Sequence, residues 1–435
     1  MPSASPPILA PLAALLLAAP TLTPALAQTW RWVPVEGDVY DLLWDPHRSV
    51  LYFGRENGSI GVYDPAANQF LPEFPNVGLQ LRGMDITPEG HKLFVSDRTY
   101  AGLGLTRYLR VVDLETRAVR SIPFTAIINS ENPWDVAIGD DGWGFVTTEY
   151  RGTGDSAARR VNVEGEYIEF LPDWFPTGGI LRIDGDSRVT ASPDRSFVTV
   201  VTPTTFEYLF NYDPALQVRT QYVDLVKAVT YDPSFSSDGS LVAVYGGVIG
   251  GGDVTVFDTA TLGLVWGISD HQGGFVFDPV RDRLYVGHQW TASVVVFDTN
   301  SWLEVDRLPP FEVYSANYWD NGQYEVSADG RFLFVSRRDT FGTNTGFYVF
   351  DLNTLDCRPD LTTTAVPGQP GYGTPNGVVN SDDFFYFLAQ YAQANLAVCD
   401  LTTGAIPAQP GYGVPNGILN SDDFFYFLAL FGAGC

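Results

Sequence analysis

One β-rich unit recurs along most of this chain, and this repetition constrains the fold more than any other feature. Most copies have a turn of the Asp-Gly, Asp-Pro or Ser-Pro-Asp type, and then a run such as Leu51-Tyr52-Phe53. Alternating residues follow, and most copies end in an aromatic-Asp pair such as Tyr63-Asp64. Alternation with a period of two indicates strands, and the turn residues separate them. The unit recurs every 40–53 residues, a length that holds about four short strands.

Seven copies of the unit are present, and we predict that they form a seven-bladed, all-β propeller over residues 28–355. They end at Asp64, Asp113, Val163, Asp213, Asp258, Asp298 and Asp351. Sheets of about four strands bury both faces when they pack radially, whereas a linear β-solenoid, the alternative, uses shorter repeats. The pattern stops after Asp351, so the last unit lacks a fourth strand. Residues 29–35 form a strand pattern without a unit of its own, and we expect this strand to close the ring.

The propeller region resembles the broad YVTN or surface-layer group of propellers in its Phe-Asp and Tyr-Asp endings. This resemblance implies the architecture and says little about chemistry.

The charge and the N-terminal segment predict an exported protein. The chain has 25 basic and 51 acidic side chains and a net charge of −26, which argues against nucleic acid or an anionic membrane as partner. Residues 1–27 are uncharged and end in Ala25-Leu26-Ala27, as a signal peptide does. An apolar strand or helix is the alternative, which the many prolines disfavour. No other apolar run reaches the roughly 20 residues of a membrane span. We expect a bacterial protein that is secreted or held at the cell surface.

A predicted C-terminal module, residues 356–435, contains two copies of one segment at 360–391 and 400–431. A calcium loop needs oxygen ligands at fixed spacing, a Gly at the turn and a carboxylate at the start of the next helix. Apolar residues at helical spacing follow each Asp-Asp pair. With Gly377 and Gly417 at the sixth loop position, two Ca²⁺ sites are predicted. Their ligands are Asp360, Asn376, the Val378 carbonyl, Asn380 and Asp383 in the first copy, and Asp400, Asn416, the Ile418 carbonyl, Asn420 and Asp423 in the second.

The position of the first ligand is unusual. Asp360 and Asp400 lie 16 residues before Asn376 and Asn416, whereas in an ordinary loop the first position lies four residues before the fifth. The Pro- and Gly-rich segment must therefore loop out for calcium to bind. The alternative is that the aspartates only cap turns and helices.

The duplicated segment resembles the dockerin-like modules of the GC type, named for a terminal Gly-Cys pair that is Gly434-Cys435 here. The resemblance implies a calcium-dependent anchor for a cohesin-like or surface receptor protein. It places the partner contacts at Ser381 and Asp382 and at Ser421 and Asp422, with two orientations open to the partner.

All three cysteines flank or divide this module, and in an exported protein they indicate a disulfide. A bond between Cys357 and Cys435 would join the two ends of the module. Pairings through Cys399 remain open.

Charged and aromatic side chains follow the second strand of several blades and predict a candidate ligand face on the propeller. They are Arg55, Arg98, Arg151, His288, Trp290 and Arg337. Arginines around a channel mouth would suit carboxylates or acidic carbohydrate, with Trp290 available for stacking. The alternative, which we favour, is ion pairing with nearby acids on neighbouring blades.

No known catalytic signature is present in the sequence, so no catalytic residue is predicted. We therefore favour a binding or scaffold protein anchored by its tail. The alternative is a lactonase-type or glycan-processing propeller enzyme delivered to an extracellular assembly by the same tail.

Overall fold

Seven four-stranded antiparallel sheets form the larger part of the protein, and the prediction of a seven-bladed propeller is confirmed. Contacts divide the chain into two units, one of Thr29–Leu355 and one that includes Asp356–Cys435. The computed structural model describes residues 30–55, 57–98, 107–126, 131–149, 155–171, 182–202, 208–213, 218–225, 232–246, 254–269, 273–288, 293–308, 323–336, 346–352, 359–376, 378–406 and 415–433.

The first strand, β1 (Trp30–Pro34), belongs to the last blade. Blade 1 contains β2 (Val39–Asp45), β3 (Val50–Arg55), β4 (Ile60–Asp64) and β5 (Gln69–Phe74). Blade 2 contains β6 (Leu81–Ile86), β7 (Lys92–Asp97), β8 (Arg107–Asp113) and β9 (Val119–Phe124). Blade 3 contains β10 (Asn132–Ile138), β11 (Trp143–Glu149), β13 (Arg159–Asn162) and β14 (Tyr167–Phe170), while β12 (Asp155–Ala157) pairs separately with β15 (Arg182–Asp184).

The remaining blades repeat the same order from the centre outwards. Blade 4 contains β16 (Arg188–Ala191), β17 (Val198–Val201), β18 (Tyr208–Asp213) and β19 (Val218–Asp224). Blade 5 contains β20 (Ser234–Phe235), β21 (Leu241–Tyr245), β22 (Val254–Asp258) and β23 (Leu264–Ile268). Blade 6 contains β24 (Phe275–Phe277), β25 (Arg283–His288), β26 (Ser293–Asp298) and β27 (Glu304–Arg307). Blade 7 contains β28 (Tyr324–Val326), β29 (Phe332–Ser336), β30 (Gly346–Asp351) and β1.

The N-terminal strand closes the ring, as the sequence predicts. Strand β1 pairs antiparallel with β30, with Trp30 opposite Phe350 and Trp32 opposite Tyr348. The ring of Tyr348 lies 5.6 Å from that of Trp30 and 4.7 Å from that of Trp32. The first and last strands of the propeller are therefore held together by backbone hydrogen bonds and aromatic contacts.

The hydrophobic core lies between neighbouring blades. Phe53 and Tyr63 of blade 1, for example, form one cluster with Phe334 and Phe347 of blade 7. Among the described residues, one such cluster lies at each of the seven interfaces between adjacent blades. Burial of apolar side chains on both faces of each sheet therefore stabilises the ring.

The Asp that ends most of the repeated units has a structural role. Four of these aspartates accept a hydrogen bond from a backbone N–H three residues later, and a residue with positive φ completes the same turn. The pairs are Asp64 with Ala67 (2.9 Å), Asp113 with Thr116 (2.7 Å), Asp258 with Thr261 (2.8 Å) and Asp298 with Ser301 (2.7 Å). The positive-φ residues are Asn68, Arg117, Leu262 and Trp302. These aspartates stabilise the turn into the outer strand, which explains why they recur.

The C-terminal module contains the helices α1 (Ser381–Ala392), α2 (Leu396–Cys399) and α3 (Ser421–Ala433). The predicted helix after each Asp-Asp pair is therefore present. Helix α1 begins after Asn380, whose side chain and that of Asp383 form a reciprocal cap. Within the described part of the chain, no helix combines the length and the apolar character that crossing a membrane requires.

Candidate functional site

The structure brings together the two ends of each candidate calcium loop. The Asp360 carboxylate accepts a hydrogen bond from the backbone N–H of Asn376, at 3.1 Å to Oδ1 and 3.0 Å to Oδ2. In the second copy the Asp400 carboxylate accepts from the backbone of Asn416 at 3.0 Å and of Gly417 at 2.6 Å. The predicted first and fifth ligand positions are thus adjacent in both copies.

The segment between Asp360 and Asn376 folds back on itself. The Thr363 N–H donates to the Gly371 carbonyl at 3.0 Å, and the Gly373 N–H donates to Thr362 Oγ1 at 2.7 Å. Gly371 has φ 92°, and a Cβ there would lie 2.7 Å from Thr363 Cβ. Glycine is therefore needed at this turn, and the turn allows the segment to loop out. The equivalent residues 407–414 lie outside the described part of the chain.

Asp383 connects the loop to the helix that follows. Its Oδ1 accepts hydrogen bonds from the backbone of Leu361 at 2.7 Å and of Thr362 at 2.8 Å, and its Oδ2 accepts from Asn380 at 2.9 Å. In the second copy, Asp423 makes the same three contacts with Leu401, Thr402 and Asn420, at 2.7, 2.9 and 2.9 Å. The capping role considered in the sequence analysis is therefore present. It does not exclude metal binding, because Oδ2 of each aspartate accepts one of these hydrogen bonds and keeps a second lone pair.

The chemistry of the donor set fits Ca²⁺. Residues 359–435 contain no Lys, Arg or His, and their acidic side chains are Asp360, Asp382, Asp383, Asp400, Asp422 and Asp423. Asp383 and Asp423 are completely buried, and a buried carboxylate is costly without a compensating cation. Carboxylate, amide and carbonyl oxygens are the ligands that Ca²⁺ prefers. No three His, Cys, Asp or Glu side chains of the described residues are grouped to hold a metal, so each loop would rely on two carboxylates plus amide and backbone oxygens.

The predicted partner-binding residues lie on the first turn of α1 and α3. Ser381 and Ser421 are exposed, while Asp382 and Asp422 are half-buried. Phe385 and Phe425 lie four residues further along and are 57% and 58% exposed. The same polar and apolar groups are thus open to solvent at both helix starts.

Cys399 is a buried free thiol. Burial, and then the nearby charge of Asp423, raises its pKa to about 12. The predicted bond between Cys357 and Cys435 lies outside the described residues and remains a prediction.

On the propeller, carboxylates of the inner strands join neighbouring blades. Asp41, Asp85 and Asp135 each accept from the next residue of their own strand and from the following blade. The donors in the following blade are Met84 to Asp41 (2.6 Å), Ile138 to Asp85 (2.7 Å) and Val189 to Asp135 (3.0 Å). The inner edge of each blade has no strand beyond it, so these carboxylates satisfy backbone N–H groups that the sheets leave unpaired.

These acids line a central cavity of about 380 Å³, together with Glu325, which accepts from the backbone of Trp44 at 3.1 Å. Burial, and then the charge of Asp232, raises the pKa of Asp135 to about 8. Burial likewise raises the pKa of Glu325 to about 8. Glu325 is partly open to the cavity but lies deep inside the ring. At neutral pH these two side chains are therefore mostly neutral, and the cavity is less acidic than its composition implies.

The predicted ligand face is only partly described. Arg55 pairs with Glu73 of its own blade at 2.6 Å, and Arg98 pairs with Glu149 of the next blade at 2.5 Å. His288 ends β25 and is half-buried. The other members of this set, Arg151, Trp290 and Arg337, lie outside the described residues.

Three arginines surround Trp134 of β10: Arg98 of the predicted ligand face, and Arg82 and Arg188, which the sequence patterns do not indicate. The guanidinium carbon atoms of Arg82, Arg98 and Arg188 lie 5.5, 6.0 and 5.2 Å from the centre of the Trp134 ring. Arg82 and Arg188 belong to the inner strands β6 and β16. The only signal available in the sequence is a basic residue near the start of an inner-strand pattern.

Comparison with known proteins shows the fold alone. No protein family matches the sequence, and no curated protein matches it. A chain in a crystal structure of a mitotic checkpoint complex has a TM-score of 0.53 and 13% identity, covering 80% of this chain and 100% of that chain. A chain of Kuenenia stuttgartiensis hydrazine synthase has a TM-score of 0.53 and 16% identity, covering 73% and 96%. Since 1575 chains of solved structures match, the propeller architecture does not specify a function.

Proposed function

We propose that this protein is an exported binding propeller, anchored to a cohesin-like or other surface receptor protein by a calcium-dependent C-terminal module. The observation that carries the proposal is the contact of Asp360 with Asn376 and of Asp400 with Asn416 across 16 residues. Without these contacts the predicted ligands would be too far apart to share an ion.

Charge also supports calcium in the module. Six aspartates and no basic side chain lie within residues 359–435. A divalent cation in each loop would compensate the buried carboxylates of Asp383 and Asp423.

The residues of the module explain how an ion would affect partner binding. Asp383 holds the backbone of Leu361 and Thr362 from the first turn of α1. An ion bound between Asp360 and Asp383 would therefore lock the loop to the helix. The same helix turn carries Ser381, Asp382 and the exposed Phe385, so calcium would orient the partner-binding surface.

For the propeller, the fold suits binding of a protein or a carbohydrate. Acidic carbohydrate remains the proposed ligand of the face that includes Arg55 and Arg98. No feature of the described residues favours the enzyme alternative over binding.

Calorimetric titration of the full chain with CaCl₂ tests the anchor. We expect two bound ions and their loss in the double variant Asp383→Asn/Asp423→Asn. The matched control is Asp382→Asn/Asp422→Asn, which makes the same charge change one residue away. Absence of binding, or equal loss in both double variants, would contradict the calcium sites.

A further inference from the structure

We infer that the cluster formed by Arg82, Arg98, Arg188, Trp134 and Tyr40 binds the carboxylate group of a small ligand on the propeller. The inference rests on the proposed binding role of the propeller and does not depend on the calcium module.

The first argument is convergence. Arg82 of blade 2 stacks on Tyr40 of blade 1, with its guanidinium carbon 3.9 Å from the ring centre. Trp134 of blade 3 receives Arg82, Arg98 and Arg188 at 5.2–6.0 Å. Side chains of four consecutive blades therefore meet at one place, and aromatic faces hold the guanidinium groups in fixed positions.

The second argument is the charge balance. Arg98 pairs with Glu149 at 2.5 Å, and Arg188 lies 3.3 Å from Asp232 and 4.0 Å from Asp135. Arg82 has no carboxylate within 4 Å in the described part of the chain. Its Nη1 donates to the carbonyl of Leu81 at 3.4 Å, and the Tyr40 side chain is a further hydrogen-bond partner. Asp41 and Asp186 also act on the charge of Arg188. Of the three guanidinium groups in this cluster, that of Arg82 is therefore the one that no carboxylate of the described residues contacts.

The surroundings of Arg82 lower the pKa of its guanidinium group. Burial, and then the charge of Arg98, lowers the pKa of Arg82 to about 10, although Tyr40 partly opposes the shift. The buried Nε atoms of Arg82 and Arg188 and Nε1 of Trp134 donate to no acceptor of the described residues. An anionic group beside Arg82 would compensate its charge and accept hydrogen bonds from its guanidinium group.

The ligand class follows from the donor geometry and the charge of the protein. A planar guanidinium matches a carboxylate with two parallel hydrogen bonds. Phosphates and polyanions carry more charge and would be repelled more strongly by a protein of net charge −26. Arg82 is only half-buried, so a small ligand can approach it.

The test uses the full chain in calcium-free buffer without a chelator, because chelators carry carboxylate groups. A failure here is then separate from a failure of the anchor. The probe is D-galacturonate. D-galactose, which lacks the carboxylate, is the neutral control, and inorganic phosphate is the control for an anion without a carboxylate. Binding is followed by thermal shift and by Trp fluorescence. We expect galacturonate alone to bind, and Arg82→Gln to weaken it by about tenfold or more.

Two further variants make the test specific. Arg120→Gln removes an equal charge from an exposed pair with Glu166 and should bind galacturonate as the unmodified protein does. Arg82→Lys keeps the positive charge but lacks the planar guanidinium group, and it should bind galacturonate with intermediate affinity. Without ligand, the Arg82→Gln variant should melt at the same temperature as the unmodified protein or higher, because it removes a half-buried charge that no carboxylate of the described residues contacts. The inference is overturned if galactose or phosphate binds as well as galacturonate, or if Arg82→Gln loses stability but not binding.

Discussion

The ring of Phe387 stacks face to face on the ring of Phe427, with centres 3.8 Å apart and planes within 2°. These residues occupy the same position in copies offset by 40 residues. The flanking contacts are reciprocal, since Phe384 meets Phe431 at 5.7 Å and Phe424 meets Tyr391 at 6.1 Å. The two copies are therefore related by a pseudo-two-fold axis that passes through this stack.

Because these rings stack, removal of either one should strongly destabilise the module. The effects of the two removals should also be coupled. Phe387→Ala and Phe427→Ala should each lower its free energy of unfolding by about 3–5 kcal/mol, and the pair should be coupled by about 0.5–1.5 kcal/mol. All 10 tryptophans of the chain lie within residues 30–319, so Trp fluorescence reports on the propeller. Loss of the helical circular dichroism signal with unchanged Trp fluorescence would support the prediction. Phe385→Ala, at an exposed position, is the control.

Closure of the ring predicts that the same substitution at two neighbouring positions of β1 has very different effects on the stability of the propeller. Val33 is buried in the cluster between blades 1 and 7, whereas Pro34 is exposed. Val33→Asp should destabilise the propeller by roughly 3 kcal/mol or more, because it buries an unpaired charge. Pro34→Asp introduces the same charge and should have little effect. Urea unfolding followed by Trp fluorescence measures both, and similar midpoints would argue against a closing role for β1.

The raised pKa of Glu325 predicts a pH dependence of stability. Its ordinary pKa is near 4.5 and rises to about 8 in the folded protein. Between these values the folded state holds a proton that the unfolded state releases, so this group makes stability fall as pH rises from about 4.5 to about 8. Glu325→Gln removes the contribution and should flatten melting temperature against pH. Glu304→Gln, at an exposed outer strand, should leave the curve unchanged. Parallel curves for all three proteins would contradict the shift.

The looped-out segment predicts different effects for two glycines with positive φ. A Cβ at Gly371 would lie 2.7 Å from Thr363 Cβ, whereas one at Gly368 would meet nothing within 4 Å. Both Ala substitutions impose a backbone cost of about 1–2 kcal/mol at a positive φ, but only Gly371→Ala should also push the segment off Thr363. We expect Gly371→Ala to weaken calcium binding more than Gly368→Ala. Equal calorimetric affinities would show that the shape of this segment is not needed for the site.

The sequence predicts the fold well and the propeller site poorly, for a physical reason. Blade number, ring closure by β1 and the C-terminal helices follow from hydrophobic period and turn residues, which act locally. The cluster of Arg82, Arg188 and Trp134 depends on which inner strands become neighbours, and their spacing along the chain carries no such information. The contact of Asp360 with Asn376 is an intermediate case. Both residues are predicted as ligands from the sequence, but the fold of the segment that joins them is not.

The pairing of β1 with β30 sets an order of events during synthesis. Trp30 must find Phe350, so the first propeller strand to leave the ribosome waits until almost the whole ring has been made. Contacts this distant along the chain slow folding. Until they form, β30 presents an unpaired edge that can capture a strand from another molecule. A nascent chain therefore risks exchanging its first strand with a neighbour, and the C-terminal module emerges only after this step becomes possible.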